Sequence, residues 1–150
     1  MRRGVLISTL AWMVVAAAGV GATQKEQGAK SLYQRLGGYD KIASIVDDFS
    51  VREDADPLLR PFNVGFSTDS GKRQLQMLKE FICERTGGPC SYLGRDMKTA
   101  HAGLTITEAQ WKAAMGHLGA AFDAAKVPAK EKGEVLEIFT KRKPEVGVKP

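Results

Sequence analysis

Histidine and cysteine are scarce in this chain, with two of each among 150 residues. Few side chains are therefore available to hold a metal by imidazole or thiolate. No segment alternates apolar and polar residues long enough for a β-strand, and there is no internal repeat and no low-complexity run. Apart from Lys141-Arg142-Lys143 near the end, no dense basic run occurs. Together with the export signal described next, that excludes nucleic acid as a partner.

Long hydrophobic runs are also few, and the only one lies at the start. Arg2 and Arg3 precede the almost wholly apolar stretch from Val5 to Val20, and Val20-Gly21-Ala22 supplies the small residues of a cleavage site. The run is shorter than the roughly twenty residues of a membrane span. The expectation is a signal peptide over residues 1–22, no stable membrane span after cleavage, and a periplasmic protein. No cysteine follows the run, which excludes a lipidated amino terminus. The remaining 128 residues carry twenty basic and seventeen acidic side chains, a net charge near +3 and one domain's worth of chain.

What is present reads as helix throughout. Ile42, Ile45, Val46 and Phe49 recur with the spacing of a one-sided helix, and Asp40 is placed to cap it. Leu75, Leu78 and Ile82 make a second stripe, flanked by Met77 and Phe81 and stopped by Gly87-Gly88-Pro89. Thr107 and Gln110 have the form of a capping box. Trp111, Met115, Leu118 and Phe122 follow from it. Pro128 suits a first helical position, and Val135, Ile138, Phe139 and Arg142 carry the last helix to a stop at Pro144. Between the first two long helices, Pro57, Pro61 and Gly65 forbid regular helix, so the chain turns a corner that carries Phe62. The class is all-α.

His101 lies in the stretch YLGRDMKTAHAGL from Tyr92 to Leu104. A neutral imidazole on a short helix among apolar side chains can hold a haem iron from one side. The same residue also fits a satisfied core or surface histidine. Phe62 likewise reads as a hydrophobic plug. Cys83 and Cys90 would stand about 10 Å apart on one continuous helix, too far to bridge. The glycines between them break that helix, and export favours oxidation. A disulfide and two free thiols both remain open.

The chain resembles the first group of truncated haemoglobins over residues 31 to about 140. The resemblance is carried by SLYQRLGG from Ser31 to Gly38, by Asp47-Asp48-Phe49 with Ala55-Asp56-Pro57, and by Gly87-Gly88-Pro89. It continues through Tyr92, Gly94-Arg95-Asp96-Met97-Lys98, His101, Gly103 and Ile106-Thr107. It implies a two-on-two helical sandwich around haem b, with His101 as the proximal iron ligand. By position it makes Phe49, Phe62, Leu78, Phe81, Tyr92, Met97, Ile106 and Trp111 haem contacts. His117 reads as structural or exposed. Domain limits follow as a short extension over 23–30, a globin domain over 31–143 and a tail over 144–150. The implied activity is reversible binding of oxygen, nitric oxide or carbon monoxide, as carrier, store or sensor. The alternative is a haem enzyme, a nitric oxide dioxygenase or weak peroxidase, served by an unidentified reductase.

On the ligand side the sequence departs from the family. A tyrosine usual after the position of Phe49 is here Ser50, and a phenylalanine usual after Phe62 is Asn63. Counting back from Gly87 places Gln74 at the position facing a bound ligand, with an amide donor that can replace the tyrosine. A solvated polar residue at a helix edge fits Gln74 equally.

Overall fold

The computed structural model describes residues 29–149 apart from Phe66. The expected signal peptide and residues 23–28 of the expected extension lie outside the described residues. Seven α-helices follow in order: α1 (Leu32–Leu36), α2 (Tyr39–Ala55), α3 (Thr68–Arg85), α4 (Met97–Ala100), α5 (Glu108–Ala124), α6 (Ala129–Thr140) and α7 (Lys143–Val146). A single 3-10 turn, Arg60–Phe62, sits in the proline-rich corner after α2. Among the described residues no strand forms, and the one β-bridge joins Thr107 to Lys149.

Short-range chemistry explains most helix ends. Ser31 with Gln34 and Thr107 with Gln110 form reciprocal capping boxes that open α1 and α5. Asp40 does not cap α2 as expected. Gly38, at φ 83°, holds that place, and Asp40 lies in the first turn, where its charge faces the positive end of the helix dipole. Pro128 similarly stands just outside α6, as its N-cap. Helix α3 ends at Arg85 with Thr86 as its C-cap, just ahead of the Gly-Gly-Pro stop.

Packing follows the apolar stripes. Helix α2 lies against both α3 and α5, and α5 pairs with α6. Ile42, Ile45, Val46 and Phe49 bury against Phe81, Ile82, Leu118, Ala121, Phe122 and Val135. Phe122 is wholly buried at the centre. Burial of a side chain of that size contributes roughly 2–3 kcal/mol. Arg35 at the end of α1 reaches across to Glu131 and Glu134 of α6, which ties the shortest early helix to the late pair.

The end of the last long helix is a correction. Helix α6 ends at Thr140, and Pro144 does not stop it. Pro144 lies in the first turn of α7, where no backbone N–H is required. Residues 144–149 pack back onto the domain. Val146 is buried, α7 packs on α4, and Lys149 donates to the Ile106 carbonyl at 2.8 Å while Glu108 N–H donates to the Lys149 carbonyl at 3.0 Å.

Candidate functional site

The two helix pairs do not close on each other everywhere. A cavity of about 950 Å³ opens between them, at the upper end of the range for cofactor sites. Helix α2 supplies Phe49 and Ser50, the corner supplies Phe62, and α3 supplies Gln74, Leu78 and Phe81. Tyr92, Met97, His101 and Trp111 line the same cavity. Ile106 lines a smaller pocket of about 140 Å³ that shares Phe62, Gln74, His101 and Trp111 with the large one. Residues scattered over more than sixty positions of sequence therefore face one space, and its walls are mainly apolar.

The segment carrying His101 is held by local bonds. Asp96 caps α4, accepting from the Thr99 N–H at 2.9 Å and the Thr99 hydroxyl at 2.7 Å. These bonds hold its carboxyl below the usual range. His101 closes the same helix as its C-cap, half-buried in the cavity wall. Its Nδ1 lies 2.8 Å from the Met97 carbonyl oxygen. A carbonyl only accepts, so Nδ1 carries the proton and the Nε2 lone pair is left for a metal. A backbone carbonyl behind the ring is the usual way a protein orients a metal-binding imidazole.

Ahead of α4, Tyr92 sets its ring edge-on to Phe81 at 5.4 Å and donates its hydroxyl to the Arg95 carbonyl at 2.7 Å. Its N–H is held by Glu84 at the end of α3. The chain folds back so tightly that a Cβ on Gly94 would lie 2.4 Å from the tyrosine ring. The same turn brings Cys83 and Cys90 to a Cα separation of 5.8 Å, and they form a disulfide. Gly88 makes that closure possible by close approach rather than by positive φ. A Cβ there would sit 2.6 Å from both the Cys83 sulfur and the Tyr33 ring.

The α2–α3 side is more polar than the stripes suggest. Ser50 and Gln74 both line the large cavity, Ser50 half-buried and Gln74 exposed. Asn63 turns its amide to Asp54 at 2.8 Å. Glu53 lines both pockets, and sequence reasoning missed it. The available signal was its place one helical turn beyond Phe49, where a carboxyl interrupts an apolar stripe. Burial, with the Asp54 charge adding, pushes the Glu53 carboxyl up to about 7. His117 lies outside the cavity and bonds Asp56 through Nε2 at 2.7 Å, joining α5 to the corner after α2. That bond lowers the Asp56 carboxyl below its ordinary value.

Residues 31–147 match the family model of the bacterial-like globins. A group 1 truncated haemoglobin of Mycolicibacterium paratuberculosis is 35% identical over 117 residues, covering 77% of this chain and 83% of that protein. A group 1 truncated haemoglobin of a Nostoc species is 34% identical over 75% of this chain and 93% of its own length. Among solved structures, the 2/2 haemoglobin of a Synechococcus species, with covalently attached haem, superposes with a TM-score of 0.69 at 27% identity. It covers 78% of this chain and 98% of its own. Tetrahymena pyriformis truncated haemoglobin superposes at 0.72 with 22% identity over 78% of this chain and 97% of its own, a likeness of fold.

Proposed function

The chain belongs to the bacterial-like globins, as a group 1 truncated haemoglobin with the two-on-two fold and a haem cofactor, and on that footing we propose that it reversibly binds a diatomic gas. The observation that carries the reading is His101. Its Nδ1–H is spent on the Met97 carbonyl, so Nε2 is the ring nitrogen left for a metal, in the wall of an apolar cavity of cofactor size.

The residues present fit haem. A porphyrin is a flat apolar body, and opposed apolar walls bury both of its faces. In this reading Phe49, Phe62, Leu78, Phe81, Tyr92, Met97, Ile106 and Trp111 enclose it. When bound, haem supplies an iron with one face held by His101 and one face open to oxygen, nitric oxide or carbon monoxide. The chain itself holds the imidazole in one tautomer, excludes water with aromatic side chains, and presents Ser50 and Gln74 as hydrogen-bond donors on the open side. Ser50 has a short reach, so the Gln74 amide is the principal donor of the two.

The amino-terminal pattern supports export to the periplasm. The Cys83–Cys90 disulfide is in keeping with an oxidising compartment.

The test is direct. Purified protein mixed with haem should develop the sharp Soret absorption of a histidine-bound iron, and the reduced form should change spectrum under carbon monoxide and under oxygen. A spectrum indistinguishable from free haem would sink the reading.

A further inference from the structure

Glu53 is the one acidic side chain that continues the buried face of α2 into the cavity. Ile42, Ile45, Val46 and Phe49 precede it on that face, all buried, and Glu53 follows Phe49 by one turn. It borders both the large cavity and the small pocket, in company with Phe62, Asn63, Gln74 and Trp111. Among the described residues no side chain or backbone N–H bonds its carboxyl, so its oxygens are available to what enters the space. Burial moves its titration to about 7, where both protonation states are populated near neutral pH.

The charged groups around it do not cancel this. Asp54, its neighbour on α2, is engaged by Asn63 and adds negative charge. Lys72 and Arg73 line the cavity from α3, and Arg95 and Arg142 line it from the loop before α4 and from the turn before α7. None of these four cations is ion-paired with Glu53. His101 faces the cavity with its Nδ1 bonded to Met97. From α5 the neighbours are Trp111 and Gln110, neither charged.

We propose that Glu53 determines which small ligands the cavity holds: its neutral carboxyl donates a hydrogen bond to a ligand in the cavity, and its ionised form excludes anions. The site then favours neutral diatomic gases and weak acids taken up as neutral molecules, and it turns anions away as the pH rises. A carboxylic acid donates only while protonated, and a carboxylate beside the ligand repels like charge. The inference rests on the haem reading above, because the ligand is held at the iron.

Carbon monoxide is the first probe, since it has no proton to lose. In the reduced, haem-loaded protein its infrared stretch reports the local field: a nearby donor lowers the frequency and a negative charge raises it. Wild type should show two bands that exchange as pH crosses about 7, and Glu53→Gln should show one band that ignores pH. Azide on the oxidised protein is the second probe. The affinity of Glu53→Gln relative to wild type should be near one at about pH 5.5 and rise to about tenfold at about pH 8.5, as a repelling charge is removed. A carbon-13 titration of labelled glutamates in the wild type, free of any variant, should show one carboxyl with the same midpoint as the infrared exchange. A carbon monoxide complex whose bands do not move with pH, or move alike in both proteins, overturns this inference alone. Failure to form any such complex overturns the haem reading with it.

Discussion

His101 and His117 are both half-buried imidazoles, and their hydrogen-bond partners separate them. His101 gives Nδ1–H to a carbonyl and keeps Nε2, whereas His117 spends Nε2 on the Asp56 carboxylate. His101→Ala should therefore lose the Soret band on gel filtration or hold haem only loosely. His117→Ala should keep the band and lose only a little folding stability in urea titration, as the bond to Asp56 is removed. On the open side, Gln74→Leu should speed oxygen release by roughly two- to tenfold while barely altering carbon monoxide, as the loss of one hydrogen bond predicts. Ser50→Tyr should slow it, and stopped-flow traces that do not change in either variant would put a different group on that side. For Glu53 the folded carboxyl titrates near 7 against an ordinary 4.5. The native state thus binds the proton more tightly than the unfolded chain. The stability this contributes is complete below about 4.5 and is lost as pH rises to about 7. Glu53→Gln should match wild type near the lower value. Above the higher value it should be more stable by roughly 1–2 kcal/mol, after discounting for solvent in an open cavity. Denaturation midpoints across that range check the sign.

At the scale of elements, the segment between α3 and α5 has little regular structure of its own. Four residues of α4 cannot sustain themselves as a helix in water. Three ties hold the segment instead: the Cys83–Cys90 bridge, the Phe81–Tyr92 edge contact and the return of α7 onto α4. Replacing both cysteines by serine should cost about 2 kcal/mol for a ring this short. It should also increase the rate at which haem transfers to an acceptor protein, because the lost tie lies on the chain leading to His101. Reducing agent should reproduce both effects in wild type. Unchanged haem transfer in the variant would place the disulfide outside the support of His101. The capping box at Thr107 was legible beforehand, because such a cap needs only two residues three positions apart. Asp40 misled because a glycine two residues earlier, free to take φ 83°, made the better start.

For the whole molecule, a charged start, an apolar run and a small-residue site predict that protein recovered from cells begins near Thr23 and lies outside the cytoplasm. Mass spectrometry of a soluble cytoplasmic chain that retains Met1 to Ala22 would contradict this. The all-α class and the helix stripes were readable in the sequence, whereas His101 was singled out by the resemblance to a family and not by its local pattern. The class and the stripes depend on residues within a turn or two of one another, and periodicity and capping act over that distance. The disulfide, the folded end of the chain and the place of Glu53 were decided only in three dimensions. Whether Cys83 meets Cys90 depends on how closely Gly88 lets the backbone pass Tyr33. Whether residues 144–149 hang free depends on α4, some forty residues away, offering them a surface. Glu53 reads as one more helix-surface acid until α5 and the corner close around it and remove most of its water. Contacts between residues distant in sequence set burial, and burial sets the chemistry of a carboxyl.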